Sequence, residues 1–222
     1  MNDPALKKTE TPVEPFNYPV SATTALTKPL ADYHSNFFDL THLRRSNTNL
    51  SKLSDQQLGD LLWYSAKVIN TKIQPNGYIL TQRPSPSAGA RHPIDLLIIT
   101  PSQSKVLRYY NPFEHSLNDL NLDENIVFDF IHHINENLLI GDATVIWLIA
   151  HTNRTSAKYD NPQSLIWRDA GALLQSIQMT GTAMGIGSCP MGTLAGHYIN
   201  QLFNKTTVVS AGGIIIGNNL VL

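Results

Sequence analysis

The sequence carries one cysteine, Cys189, in 222 residues. That excludes an internal disulfide and any metal site built on several thiolates, and makes a reducing cytoplasm the expected setting. Charge is scarce as well: 16 Lys and Arg stand against 17 Asp and Glu, 15% of the chain. With no dense basic block, nothing is offered for nucleic acid or an anionic membrane to hold. Long apolar runs are missing too. The longest covers residues 145–150, far short of the roughly 20 residues a membrane span needs. Lys7 and Lys8 have no apolar stretch behind them, so a secretory signal is not expected. The sequence shows no Walker loop, serine-hydrolase elbow, acidic metal cluster or fixed-period repeat. Adjacent His132 and His133 would point to different sides of a helix, a poor metal pair.

What is present suits one globular domain with a substantial core, at 42% hydrophobic residues. Residues 1–34 form a proline-rich arm, with Pro4, Pro12, Pro15, Pro19 and Pro29, which cannot propagate a helix. Residues 35–222 form the domain proper. A short helix is expected to lead into Arg44-Arg45-Ser46. Ser54 and Gln57 have capping-box spacing and open a helix with Leu58, Leu61, Leu62, Ala66 and Ile69 on one stripe. A Pro/Gly/Ser loop, residues 83–89, follows. Residues 94–100 read as a buried strand, residues 101–104 as a turn and residues 105–110 as its hairpin partner. A helix over 125–137 precedes a central strand over 143–151. Asn161 as cap with Pro162 in the first turn starts a long helix to about residue 184, closed by Gly185 and Gly187. A last helix near 194–203 precedes a closing strand over 207–216. Helices and strands alternate irregularly around one hairpin, so the fold class is α+β.

Several groups could carry chemistry. Arg44, Arg45 and Ser46 suit a phosphate, because a guanidinium matches phosphate oxygens in a fork; cations at a helix C-terminus also serve simply to offset its dipole. Pro86-Ser87-Ala88-Gly89-Ala90 is a small-residue turn that lets backbone approach a flat ligand, and is equally the sort of loop that merely enters a strand. The run from Gly185 to Gly192 reads as a second such loop. It has glycines enough for a dinucleotide fingerprint, but it follows a helix instead of a strand. Lys158-Tyr159 lies between a strand end and a helix start, where loops hold reactive groups, although such a pair is most often plain surface. Cys189 has no histidine near it in sequence and reads as structural.

The order of these pieces resembles the nitroreductase superfamily, and within it the SagB-type FMN dehydrogenases of thiazole/oxazole-modified peptides. The blocks are Arg44-Arg45-Ser46, Leu61-Leu62-Trp63, Arg83-Pro84-Ser85-Pro86-Ser87-Ala88-Gly89-Ala90, Arg108-Tyr109-Tyr110-Asn111-Pro112, Lys158-Tyr159, Asp169-Ala170-Gly171 through Gln175, and Gly185 through Gly192. The resemblance runs from about residue 43 to 217. It implies a nitroreductase-like fold, a central mixed or antiparallel sheet flanked by helices, binding FMN in a homodimer. Arg44, Arg45 and Ser46 would hold the phosphate and flavin edge. Ser85, Ser87, Ala88 and Gly89 would line the isoalloxazine, Pro190, Met191 and Gly192 would lie near its N5 side, and Gln175 would add a contact. Thr48 stands where relatives often have a further basic residue, and the stretch after residue 217 lacks the basic group many carry; Lys205 is a candidate substitute.

The resemblance implies oxidation of azolines to azoles in a ribosomally made peptide. A hydride goes to the flavin, a carbon-bound proton to Lys158 with Tyr159 beside it, and dioxygen reoxidises the flavin. A cyclodehydratase complex would be a natural partner. Two alternatives stand beside it: a general NAD(P)H-dependent FMN reductase of nitro compounds or quinones, and a scaffold subunit of a peptide-modifying complex.

Overall fold

The computed structural model describes residues 2–30, 33–100 and 106–220. In chain order the elements are β1 (Ala5–Leu6), β2 (Val20–Ala25), α1 (Phe37–Leu43), β3 (Leu50–Ser51), α2 (Asp55–Ala66), β4 (Asn70–Ile73), β5 (Ile79–Gln82), a 3-10 turn (Ala88–Ala90) and β6 (Ile94–Ile99). Then come β7 (Arg108–Asn111), β8 (Ser116–Leu120), α3 (Glu124–Asn137), β9 (Thr144–His151), α4 (Thr152–Ser156), β10 (Tyr159–Asp160), α5 (Gln163–Ala183), β11 (Ile186–Met191), α6 (Gly196–Phe203) and β12 (Val208–Asn219). The main sheet has the order β11-β12-β9-β6-β7-β8-β2, with β3 also paired to β12. Its strands pair antiparallel, and a parallel bridge joins Ser46 to Ser188.

Strict alternation along the central strands builds two cores. In β9, Ile146, Leu148 and Ala150 face α2 and α5, meeting Leu58, Leu61, Leu62, Ile166, Leu173 and Ile177. Val145, Trp147 and Ile149 face α3 and α6, meeting Phe130, Ile134, Ile199 and Phe203. β6 and β12 divide in the same way, because successive strand residues point to opposite faces. All eight residues of β9 are buried, as a strand covered by helices on both sides must be. Trp147 anchors the second core: its indole N–H donates to Ser210 Oγ at 2.8 Å, and its ring stands edge-on to Phe130 at 5.1 Å.

Local signals explain most elements. The capping box at α2 is present, with the Ser54 side chain accepting from Gln57 N–H and the Gln57 side chain accepting from Ser54 N–H. The hairpin β6–β7 forms with Leu97 opposite Tyr109; its expected turn at 101–104 lies outside the described residues.

Three expectations are corrected. Ile69 lies beyond the end of α2 and is 57% exposed. Asn161 does not cap α5. It adopts φ +51° and donates its side-chain amide to Asp3 O at 3.3 Å, while Pro162 takes the cap position. The segment 186–191, read as a glycine loop, is strand β11. It stands at the sheet edge, where Pro190's missing N–H costs no ladder bond. Within the expected extended arm, Val20–Ala25 pairs with β8 and forms the opposite edge of the sheet.

Candidate active site

Helix α5 is the spine of the region. It packs against α1, α2, α4, β11 and the 3-10 turn. One of its buried residues, Asp169, reaches back to the small-residue loop: Ser87 Oγ donates to Asp169 Oδ2 at 2.6 Å, and Ala88 N–H to Oδ1 at 3.2 Å. Ser87 Oγ also accepts from His92 N–H at 2.8 Å. The Ser87 hydroxyl is therefore spent inside the protein and sets the shape of the loop. Burial pushes the Asp169 carboxyl above its ordinary range, against the pull of the Ser87 bond. Ser85 is buried beside this loop.

At the tip of the loop, Gly89 adopts φ +61°, a conformation glycine takes without strain. The ends of Lys158 and Tyr159 rest on it. A methyl group at position 89 would lie 2.8 Å from Tyr159 Oη and 3.1 and 3.3 Å from Lys158 Cδ and Nζ. The two side chains named from sequence thus converge with the loop named from sequence. Lys158 Nζ also lies 3.7 Å from Glu10 Oε1, and Glu10 is bonded to Arg91 through its other oxygen. Three arm contacts support this placement: β1 pairs with β10, Lys7 N–H donates to Lys158 O at 2.9 Å, and Thr11 N–H donates to Ala157 O at 2.9 Å. Sequence reasoning missed Glu10, since an isolated acid in a proline-rich stretch carries no signal of what it meets.

A second group forms around β11. Ser46 bridges Ser188, and Asn47 N–H donates to Ser188 O at 2.9 Å, so the arginine segment lies along this strand. Arg45 Nη1 donates to the carbonyls of His42 and Arg44 at 2.7 and 2.9 Å. Among the described residues no carboxylate pairs with Arg44 or Arg45. From Ser188 the strand runs through Pro190 and Met191 to exposed Gly192, four residues or about 13 Å on. Close by in sequence, Leu194 lines a groove of about 580 Å3, shared with Ile166, Trp167 and Val209. Gln175 is exposed on α5, at four-residue spacing from Gly171 and Trp167, hence on one stripe. A methyl group at Gly171 or Gly192 would meet nothing within 4 Å. Two guanidiniums without an acid are chemistry that suits a phosphate, and open backbone at Gly171 and Gly192 suits the face of a flat ring; the groove beside Leu194 is lined by none of these residues.

A family model described as "Nitroreductase family" matches residues 47–218. No curated protein matches the sequence. Among solved structures, a Ralstonia eutropha JMP134 protein assigned as a nitroreductase superposes with a TM-score of 0.67 at 17% identity, covering 96% of this chain and 99% of that one. A chain of the Escherichia coli microcin synthetase McbBCD complex, solved with truncated pro-MccB17 bound, superposes with a TM-score of 0.63 at 16% identity, over 89% and 79%. An FMN-dependent nitroreductase of Clostridium difficile R20291 gives 0.53 at 13%, over 83% and 88%. At these identities the structures speak for the fold, and the family match spans more than three-quarters of the sequence: the chain belongs to the nitroreductase family.

Proposed function

We propose that the protein is an FMN-dependent dehydrogenase that oxidises azolines to azoles in a ribosomally made peptide. The observation that carries this reading is the seating of Lys158 Nζ and Tyr159 Oη on the side-chain-free Gly89. Aromatising an azoline removes a hydride and a carbon-bound proton, so it needs a positioned base that simple flavin reduction does not. Bound FMN supplies the hydride acceptor, and dioxygen the final oxidant. Lys158 Nζ takes the proton, and Tyr159 Oη shares or relays it. The Ser87–Asp169 pair keeps the loop beneath them in shape. Arg44 and Arg45 hold the phosphate, and Gly171, Gln175 and the run Pro190-Met191-Gly192 give the ring its bed. The likeness to a chain of a peptide-bound microcin synthetase complex supports a peptide as substrate and a multi-protein assembly as setting.

A homodimer is the assembly we propose, and helix α1 supports it. None of its residues is buried, and Phe37, Phe38 and Leu43 are 64%, 73% and 65% exposed. Helix α1 rests on α5 by its other side, and a second copy on this exposed apolar face would cover it and steady the arginines that follow.

The experiment uses an azoline-bearing peptide under air without NAD(P)H, and reads the loss of two hydrogens per ring. Lys158→Ala and Tyr159→Phe are expected to keep the flavin and the fold while slowing azole formation roughly 10²–10⁴-fold. Wild-type rates in the double variant, or turnover only with NAD(P)H and nitro or quinone substrates, would move the protein to the general reductase reading.

A further inference from the structure

A cavity of about 390 Å3 lies beneath the N-terminal arm, lined by arm residues 11–16, the β4–β5 hairpin, β6 and α4. It shares no residue with the proposed flavin contacts. Three guanidiniums line it: Arg83, Arg91 and Arg154. Their charges are not equally met. Arg154 takes Asp95 as a fork, Nη1 to Oδ1 at 2.7 Å and Nη2 to Oδ2 at 2.8 Å. Asp95 Oδ2 also accepts from Tyr18 Oη at 2.9 Å and lies 3.0 Å from His151 Nε2, so that carboxylate is saturated. Arg91, 2% exposed, pairs with Glu10 through Nη2, but its Nε is buried without a partner. Arg83 donates from Nε to Thr81 Oγ1 at 3.3 Å, and no carboxylate pairs with it among the described residues. The remaining acid of the lining, Glu14, is exposed on the arm.

Arg83 is half-buried, and the acid that acts on it, Asp95, is already forked to Arg154, so its charge is met only in part; that, and a buried guanidinium N–H of Arg91 without a partner, are costly unless something compensates them. Aromatic rings complete the lining: Tyr78, which stacks under Arg91 at 4.2 Å, with Tyr109, Phe113 and Phe16. We infer that this cavity binds a small organic oxyanion, a carboxylate or a phosphate on a flat apolar body, with Arg83 and the Nε of Arg91 as its receptors. Guanidinium forks match both kinds of oxyanion, the rings accept the body, and the arm closes over it.

The test is calorimetric titration of the purified full chain, its flavin content measured beforehand, with benzoate, phenyl phosphate and neutral benzamide at low and high salt. Benzoate or phenyl phosphate should bind, more weakly as salt rises, and the tighter of the two identifies the source. Benzamide should not bind. Arg83→Gln should weaken binding roughly 10–100-fold while leaving the ligand-free melting temperature about unchanged, because the one acid that acts on Arg83, Asp95, keeps its fork to Arg154. Should that variant fail to fold, the wild-type contrast between benzoate and benzamide, with its salt dependence, decides. No oxyanion binding, equal binding of benzamide, unchanged affinity in Arg83→Gln, or release of bound flavin by the probe would overturn the inference. The last result would assign the cavity to the cofactor. Failure of azoline turnover would not touch any of these readouts.

Discussion

Ser87 Oγ donates to Asp169 Oδ2 at 2.6 Å, tying the loop under Lys158 and Tyr159 to the buried side of α5. Burial raises the Asp169 carboxyl above its ordinary range, more than the Ser87 and Ala88 donors lower it. A raised carboxyl stabilises the fold below the unfolded value of about 3.9, and that contribution is lost as pH rises through the folded value. Relative to Asp169→Asn, the wild type should therefore lose stability as pH rises from about 4 through the folded value. Melting temperatures of both proteins across that range measure it. A gap that grows in favour of the wild type with rising pH would mean the hydrogen bonds outweigh burial.

Gly89→Ala places a methyl group where the ends of Tyr159 and Lys158 now sit. The backbone strain is modest, about 1–2 kcal/mol for a residue with a Cβ in the left-handed region, and both side-chain ends can swing away. Azole formation should suffer more than stability. Turnover at the wild-type rate would show that the position of those ends does not govern the reaction.

Asp95→Asn should be among the most damaging single changes. Burial opposes the Asp95 charge, but Arg154 and His151 outweigh it and hold the carboxyl well below its usual range. Removing that charge strands Arg154 in the interior, at a cost of about 3–5 kcal/mol or roughly 6–20 °C in melting temperature for a chain of this size. A depressed carboxyl stabilises the fold above the unfolded value of about 3.9 and ceases to as pH falls through the folded one. The deficit of the variant should accordingly be full at neutrality and shrink in strong acid, as urea titrations at several pH values would reveal.

Phe37→Ser with Phe38→Ser should leave the core intact, since neither ring is buried, yet shift light scattering from dimer to monomer and release flavin. Arg45→Ala should weaken flavin retention by about 1–3 kcal/mol without changing the oligomer. A monomeric double variant that keeps its flavin would separate the two sites.

The parts legible in the sequence were those whose signal is local. The Ser54–Gln57 box, the aliphatic strand β9 and the periodic face of α5 each announce themselves within a dozen residues. Illegible parts depend on distant neighbours. β11 hides because Gly187 must be bare where Leu50 and Asn219 press on it, and because an edge tolerates Pro190. β2 hides because its six exposed residues have no apolar side to alternate. In the site, Lys158, Tyr159 and Gly89 were each named and their convergence is a product of the fold. Asp169 was seen only as part of a motif, and nothing in the sequence hinted that Glu10 of the arm would pair with Arg91 or that Arg91 and Arg154 would line one cavity.

Strand β12 sits inside the sheet, between β11 and β9, although it is the last described element of the chain. Until residue 219 has left the ribosome, β9 presents a bare hydrogen-bonding edge with Ile146, Trp147 and Val145 on it, and neither core can close. From the completion of β9 to that of β12 the nascent protein is thus an open, sticky half-sheet, the kind of species that aggregates or calls on chaperones. Slowing the decoding of the codons just before this strand should lower the soluble yield, whereas slowing it elsewhere in the message should do little.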